Sequence, residues 1–296
     1  MPRPLATLPR PLRVALALAA LGLAAFAVVS AIFAWRFTGA IRRPLGDAPE
    51  RFLAAHETVR FPATDGVRLA AWFVPCPDAT TAVVLLHGHG GNRASQLARA
   101  KFFRDHGYAV LLYDARGHGE SAGERVSFGY HEKHDLLGAL AWLRGRGFAS
   151  FGCVGGSQGG ATIAFAAAEL RDVRWAVLEA VYPTLRNAID RRFRRTVHVP
   201  GWLAGALMTP FAEWRLGLRL DAISPRDAAT KFSCPVLVLA GGADEHTHPA
   251  DARELFDRIP SPKKFHVVPG AKHVDLLGFA KQNYERVVLE FIASAR

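Results

Sequence analysis

Six consecutive residues, Gly155-Gly156-Ser157-Gln158-Gly159-Gly160, combine a hydroxyl with glycines at the spacing a reactive serine requires. Before them, residues 151–154 form a short apolar run of strand character; after them, residues 161–170 are rich in helix formers. G-x-S-x-G between a strand and a helix marks a sharp turn that holds the serine hydroxyl exposed. The demand is steric: side chains two residues to either side would collide with the neighbouring strand and helix, and Gly155 and Gly159 have none. A serine hydroxyl is a weak nucleophile until a base takes its proton, and the base needs an orienting carboxylate. Two positions fit. Asp244, in Gly241-Gly242-Ala243-Asp244, and His273, in Pro269-Gly270-Ala271-Lys272-His273, each lie just past an apolar strand-like run. Such strand ends are where ligand sites of open parallel sheets gather. Glu179 also follows a strand end and competes for the acid role. His266 lies inside a strand and reads as packed, and His246 and His248 follow Asp244 too closely to be the base, though near enough to line a pocket. Asp275 reads as a cap for the turn after His273.

Two further glycine-punctuated loops flank this set. His87-Gly88-His89-Gly90-Gly91-Asn92 follows the run Thr81–Leu86, and its glycines let backbone N–H groups point into a pocket, which suits an oxyanion. A dinucleotide fingerprint is excluded because the third glycine is missing at the required spacing. His87 and His89 have no third ligand at a metal-binding spacing, and His131 and His134 lie three apart rather than in an H-E-x-x-H pattern, so no metal is expected. No organic cofactor is expected either. Asp114-Ala115-Arg116-Gly117-His118-Gly119-Glu120-Ser121 reads as a turn whose charged residues fix the loop.

The elements that must position these residues alternate. Residues 57–61 and 67–74 form a hairpin signal around Thr64-Asp65-Gly66. Strand-like runs at 81–86, 109–113, 151–154, 175–178, 235–240 and 264–268 are separated by helical patterns at 94–106, 132–144, 161–170 and 251–259, with a last amphipathic helix at 284–293. This alternation predicts an α/β fold, a mostly parallel central sheet with helices on both faces. It lapses between about 183 and 231, where Arg191, Arg192, Arg194 and Arg195 precede an apolar stretch, and this insertion reads as a helical lid. The lid either packs by its own apolar face or touches lipid.

Upstream, residues 1–13 are a basic segment, and no charged residue occurs in the 22 residues from Val14 to Trp35. As a helix they would span about 33 Å, the thickness of a hydrocarbon core. Ala25-Phe26-Ala27 resembles a signal-peptidase site, but the apolar run continues past it, which favours an uncleaved single-pass anchor. Arginines flank the span on both sides in similar number, so its orientation is not specified. Residues 36–55 read as a linker broken by Pro44, Gly46 and Pro49, with the folded domain at 56–296. The chain of 296 residues is half apolar, enough for one large core, and its net charge of +11 is spread over scattered arginines. No basic stripe interleaved with aromatics marks a nucleic-acid groove. Cys76, Cys153 and Cys234 show neither C-x-x-C spacing nor a disulfide framework.

Residues 87–92 (HGHGGN), 114–121 (DARGHGES), GGSQGG, GGAD and GAKH together resemble the α/β-hydrolase superfamily, in its serine-hydrolase branch of monoacylglycerol-lipase-like and membrane-anchored members. The resemblance covers the chain from about His56 to its end. It implies Ser157 as nucleophile, His273 as general base, Asp244 as orienting acid, and the backbone N–H groups of His89 and Gln158 as oxyanion hole. The implied reaction is acyl transfer to water from a small-molecule carboxylic ester, with lipid-derived esters or thioesters as candidate substrates. A peptidase or amidase with the same triad, and a non-catalytic tethered scaffold, are the alternatives.

Overall fold

Runs such as Thr81–Leu86 and Ala109–Tyr113 carry aliphatic side chains at successive positions, so both faces of these strands must be covered. The computed structural model describes residues 9–46, 49–53, 55–196 and 201–295 and meets this requirement with an eight-stranded sheet. Its strands are β1 (Glu57–Pro62), β2 (Arg68–Val74), β3 (Thr81–Leu86), β4 (Ala109–Tyr113), β5 (Ser150–Gly156), β6 (Val173–Glu179), β7 (Val236–Gly241) and β8 (Lys263–Val268). They lie in the order β1-β2-β4-β3-β5-β6-β7-β8. Only β2 runs against its neighbours; every pairing from β4 through β8 is parallel.

Helices α2 (Leu97–Asp105), α3 (Lys133–Gly145), α4 (Gln158–Ala166), α8 (Pro249–Arg258) and α10 (Lys281–Ser294) cover the sheet. One apolar layer joins α3, α4 and α8 through Leu136, Leu140, Ile163 and Leu255; the opposite layer joins α2 and α10 through Phe103, Val288 and Phe291. These elements agree with the expected alternation, and the helix ends shift by a few residues. Cys153 and Cys234 are buried among the apolar side chains.

The insertion contains α5 (Leu185–Thr196), α6 (Gly201–Leu216) and the short α7 (Pro225–Ala228). Its arginines are engaged: Arg191 pairs with Asp251, Arg194 with Asp190 and Arg195 with Glu245. Leu185, Ala212, Leu216, Leu220 and Ile223 form a third apolar cluster, while Phe211 and Trp214 face outward, Trp214 at 77% exposure. The insertion thus has an inward apolar face and an exposed aromatic one.

The N-terminal apolar run lies in a single helix, α1 (Arg10–Thr38), whose apolar side chains from Leu12 to Trp35 are largely exposed. It is long and apolar enough to cross a membrane. Of the basic segment at 1–13, residues 1–8 lie outside the described residues. The helix runs past the end of the charge-free span, and its last turns pack along α6, with Ala34 joining the third cluster. The segment expected to be a linker is bound to the domain over much of its length. Gly39 and Ile41 form bridges with Arg125 and His118; the Arg42 guanidinium donates to the carbonyls of Ser121 and Gly123; Asn92 Nδ2 donates to the Pro44 carbonyl at 2.9 Å. Proline and glycine do break regular structure there, but the freed backbone groups find partners in the loops that surround the site.

Candidate active site

Parallel strands deliver their C-terminal ends to one edge of the sheet, so the loops after β3, β5, β7 and β8 meet although they are far apart in sequence. Ser157 follows β5 with φ 51° and ψ −114°, a strained conformation for a residue with a side chain. The glycines around it explain how the turn closes. A Cβ on Gly155 would lie 2.5 Å from the Gly159 carbonyl carbon, and one on Gly159 would lie 2.4 Å from the Leu86 carbonyl oxygen of β3. Helix and strand therefore approach to distances that no side chain permits.

Past β8, His273 Nδ1 is 2.8 Å from Asp244 Oδ2, past β7. The other carboxylate oxygen, Oδ1, accepts the backbone N–H groups of His246 and Thr247 at 2.8 and 2.9 Å. Burial alone would raise the Asp244 pKa, but the His273 hydrogen bond and charge and these two N–H groups outweigh it and hold the carboxyl below its usual range. Because ionised Asp244 only accepts, His273 Nδ1 carries a proton toward it, and Nε2 is left for another partner. Ser157 and His273 line one cavity of about 200 Å³, with walls mostly from Ala34, Phe37, Phe128, Leu185, Ile189 and Leu220.

His89 and Gln158 line the same cavity. Gln158 opens α4, so its backbone N–H is among those an α-helix leaves without an internal acceptor. His89 stacks on Phe128 with ring centroids 5.0 Å apart, and its Nε2 lies 3.4 Å from the Phe37 carbonyl. The loop carrying it is held by histidines acting as backbone clips. His87 Nε2 accepts the Ala115 N–H at 3.0 Å, with Nδ1 2.8 Å from the Gly88 carbonyl; His118 Nε2 accepts the Gly90 N–H at 3.1 Å. In the same region Asp114 accepts the N–H groups of Arg93 and Glu120 and pairs with the buried Arg93 guanidinium, so the charges of this loop hold backbone in place.

The clips titrate. Burial, reinforced by the neighbouring His118, lowers His87 from 6.5 to about 3. The unfolded chain therefore takes up a proton below pH 6.5 that the folded chain refuses until about pH 3. The stability contributed by neutral His87 is complete above that window and is lost as pH falls through it, by an amount on the order of a few kcal/mol. The thermal midpoint should fall steadily between pH 7 and pH 5; a flat midpoint would contradict this account.

The competing residues are placed elsewhere. Glu179 is buried on the other side of the sheet edge, where it accepts Arg99 Nη2 and the Tyr284 hydroxyl, each at 2.5 Å. Asp275 accepts the Gly278 N–H at 3.1 Å, capping α9 (Leu276–Phe279). His248 precedes α8, its N–H donating to Asp251, and His266 lies within β8. His246 does line the cavity, its ring 5.3 Å from that of His273. Sequence reasoning missed Ala34, Phe37 and Thr38, the last turns of α1, which wall the cavity. No local signal distinguishes them from the rest of an apolar helix.

A family model described as alpha/beta hydrolase fold matches residues 81–222, and one described as serine aminopeptidase, S33 matches residues 209–277. The uncharacterised protein YqkD of Bacillus subtilis is 25% identical over 237 residues, covering 78% of this chain and 77% of its own. An uncharacterised membrane protein of Saccharomyces cerevisiae is 24% identical over 258 residues, covering 83% and 82%. Among solved structures, an esterase of Pyrococcus furiosus superposes with a TM-score of 0.73 at 22% identity, covering 87% of this chain and 98% of its own. A thermophilic esterase of Thermogutta terrifontis superposes with a TM-score of 0.58 at 22% identity, covering 81% and 99%.

Proposed function

We propose that this chain, which belongs to the α/β-hydrolase superfamily, is a membrane-anchored serine hydrolase acting on carboxylic esters. The observation that carries the reading is the Asp244–His273 hydrogen bond opening onto the same cavity as a strained, glycine-flanked Ser157. In this mechanism Ser157 Oγ attacks the acyl carbonyl while His273 Nε2 takes its proton. Asp244 holds the imidazole in the required tautomer and stabilises the imidazolium. The N–H groups of His89 and Gln158 receive the oxyanion. His273 then returns the proton to the departing alcohol, and water, activated by the same histidine, hydrolyses the acyl-enzyme.

The S33 match favours a second reading, an aminopeptidase. Such an enzyme needs an acidic group to hold the substrate's free ammonium. Among the described residues lining the cavity there is no Asp or Glu, and Arg192 is present instead. An apolar cavity of this kind suits an acyl chain, and it supports the ester. A fluorophosphonate probe should label the wild-type protein at Ser157, and acyl esters should be turned over faster than aminoacyl amides. Faster amide turnover would favour the peptidase; absence of labelling in folded protein would refute both.

Anchoring rests on α1, and the membrane description of the yeast relative supports it. The full chain is expected to stay in the membrane fraction through a high-salt wash, where release would indicate peripheral attachment instead. Removing residues 1–51 should do more than release the domain. It deletes a cavity wall and uncovers the inward face of α6, so ester turnover should fall as well.

A further inference from the structure

Two cavities meet at one partition. Phe37, His89 and Arg192 line both of them. Beyond the partition from Ser157 is a larger cleft of about 1240 Å³. One of its sides is the end of α1, and on the lining stand Arg36, Arg43, Arg125, Arg192 and Arg215. Glu124 is the one acidic residue lining it among the described residues, and its carboxylate is already held by Arg42 at 3.0 Å.

These cations crowd one another. Arg215 lies 3.5 Å over the Trp35 ring and donates to the Glu124 carbonyl, and its Nε is buried with no hydrogen-bond partner. Burial, then the charge of Arg125, lower the Arg215 pKa. On the partition, Arg192 and Arg43 add to burial and His118 in lowering His89 to about 4. Arg36, Arg43, Arg125 and Arg215 share this lining with the single carboxylate of Glu124 among the described residues; such positive charges repel one another, and a bound anion relieves that repulsion. Guanidinium groups suit phosphate and carboxylate because their N–H fork matches two oxygens. The α1 side of the cleft is apolar at Ala31, Ile32 and Phe33, and that surface continues into the exposed, membrane-length part of the helix. A ligand that reaches the arginines by way of this apolar surface is an amphiphile, with an anionic head and a hydrocarbon tail.

We infer that the arginine-lined cleft binds the anionic head group, phosphate or carboxylate, of an amphiphilic acyl ester whose carbonyl reaches Ser157 past the Phe37–His89 partition. The identity of the ester rests on the hydrolase reading above, whereas the anion site does not. Substrate then arrives along α1 from the lipid phase, with its head group at the arginines and its acyl chain in the smaller cavity.

The test uses the full chain in neutral-detergent micelles and two lipids sharing one acyl chain, 1-lauroylglycerol and its 3-phosphate. The ratio of kcat/KM for the phosphate ester over the neutral ester should be about tenfold or more, as expected for one charge-assisted pair. The double variant Arg43→Gln, Arg125→Gln should reduce that ratio by a similar factor while keeping the wild-type thermal midpoint. Equal or reversed preference in the wild type, or an unchanged ratio in the folded double variant, would overturn the inference. Affinity for both lipids is also measured with Ser157→Ala, which has no nucleophile. Tighter binding of the phosphate ester there supports the anion site even if neither lipid is hydrolysed; equal affinity overturns it even if both are. Phosphatidylglycerol vesicles should compete with the phosphate ester, and inorganic phosphate should not. Equal competition by inorganic phosphate would assign the site to a free anion and overturn the amphiphile.

Discussion

Replacing Ser157 with alanine should lower kcat for ester hydrolysis by about a million-fold, the scale observed when a nucleophile of such a triad is removed. The variant keeps the turn, because alanine is smaller than serine at the same backbone conformation and the flanking glycines are untouched. His273→Ala should cost about as much, and the double variant little more, since nucleophile and base act as one unit. Initial rates on a short-chain ester, with circular dichroism to verify folding, decide the matter. Turnover of Ser157→Ala within tenfold of wild type would remove serine from the mechanism. Additive losses in the double variant would argue against a coupled pair.

Asp244→Asn should reduce kcat by about ten-thousand-fold, and Glu179→Gln should not. The first exchange keeps shape but lets the side-chain amide donate toward His273 Nδ1, which turns the imidazole into the wrong tautomer for accepting a proton at Nε2. The asparagine oxygen, in place of Asp244 Oδ1, still accepts the backbone N–H groups of His246 and Thr247, so the loop after β7 should stay in place and the loss is one of chemistry. Glu179 lies in a different network. Its replacement leaves the buried Arg99 with Asp275 as its remaining carboxylate partner and should destabilise the fold by about 1–3 kcal/mol. The folded fraction of Glu179→Gln should retain wild-type kcat. On the proposed mechanism the pair separates the acid that orients the base from Glu179, which binds Arg99 of α2 and Tyr284 of α10. A large loss of kcat in folded Glu179→Gln, with little in Asp244→Asn, would reverse the assignment.

Both acids follow strands, and local sequence does not tell them apart. Glu179 ends β6, next to β5, and its side chain points to the layer containing Arg99 and Tyr284. Asp244 stands three residues past β7, far enough to turn across the sheet edge toward the loop after β8. The choice depends on the direction a side chain takes at a strand end and on which partner occupies that side. Asp275, by contrast, was readable as a cap because capping is a relation between residues three apart.

The strands, the hairpin, the elbow and most helices were legible because their signals are local. Apolar runs on Thr81–Leu86 and Ala109–Tyr113 require cover on both faces, and glycines two residues either side of Ser157 state the clearance the turn needs. The apolar length of α1 follows from composition in the same way. What tertiary structure alone decided is where that helix ends. An exposed apolar helix reads identically whether its last turn hangs free or closes a cavity. Packing of Ala34 against Ala212 and Leu216, and the bridges from Gly39 and Ile41 to Arg125 and His118, bring Phe37 beside Ser157 and set Arg43, Arg125 and Arg215 around one cleft. These arginines are scattered over about 170 positions of sequence, where they read as surface charge. They come together because packing acts through space, and the contact between α1 and α6 is long-range in the chain.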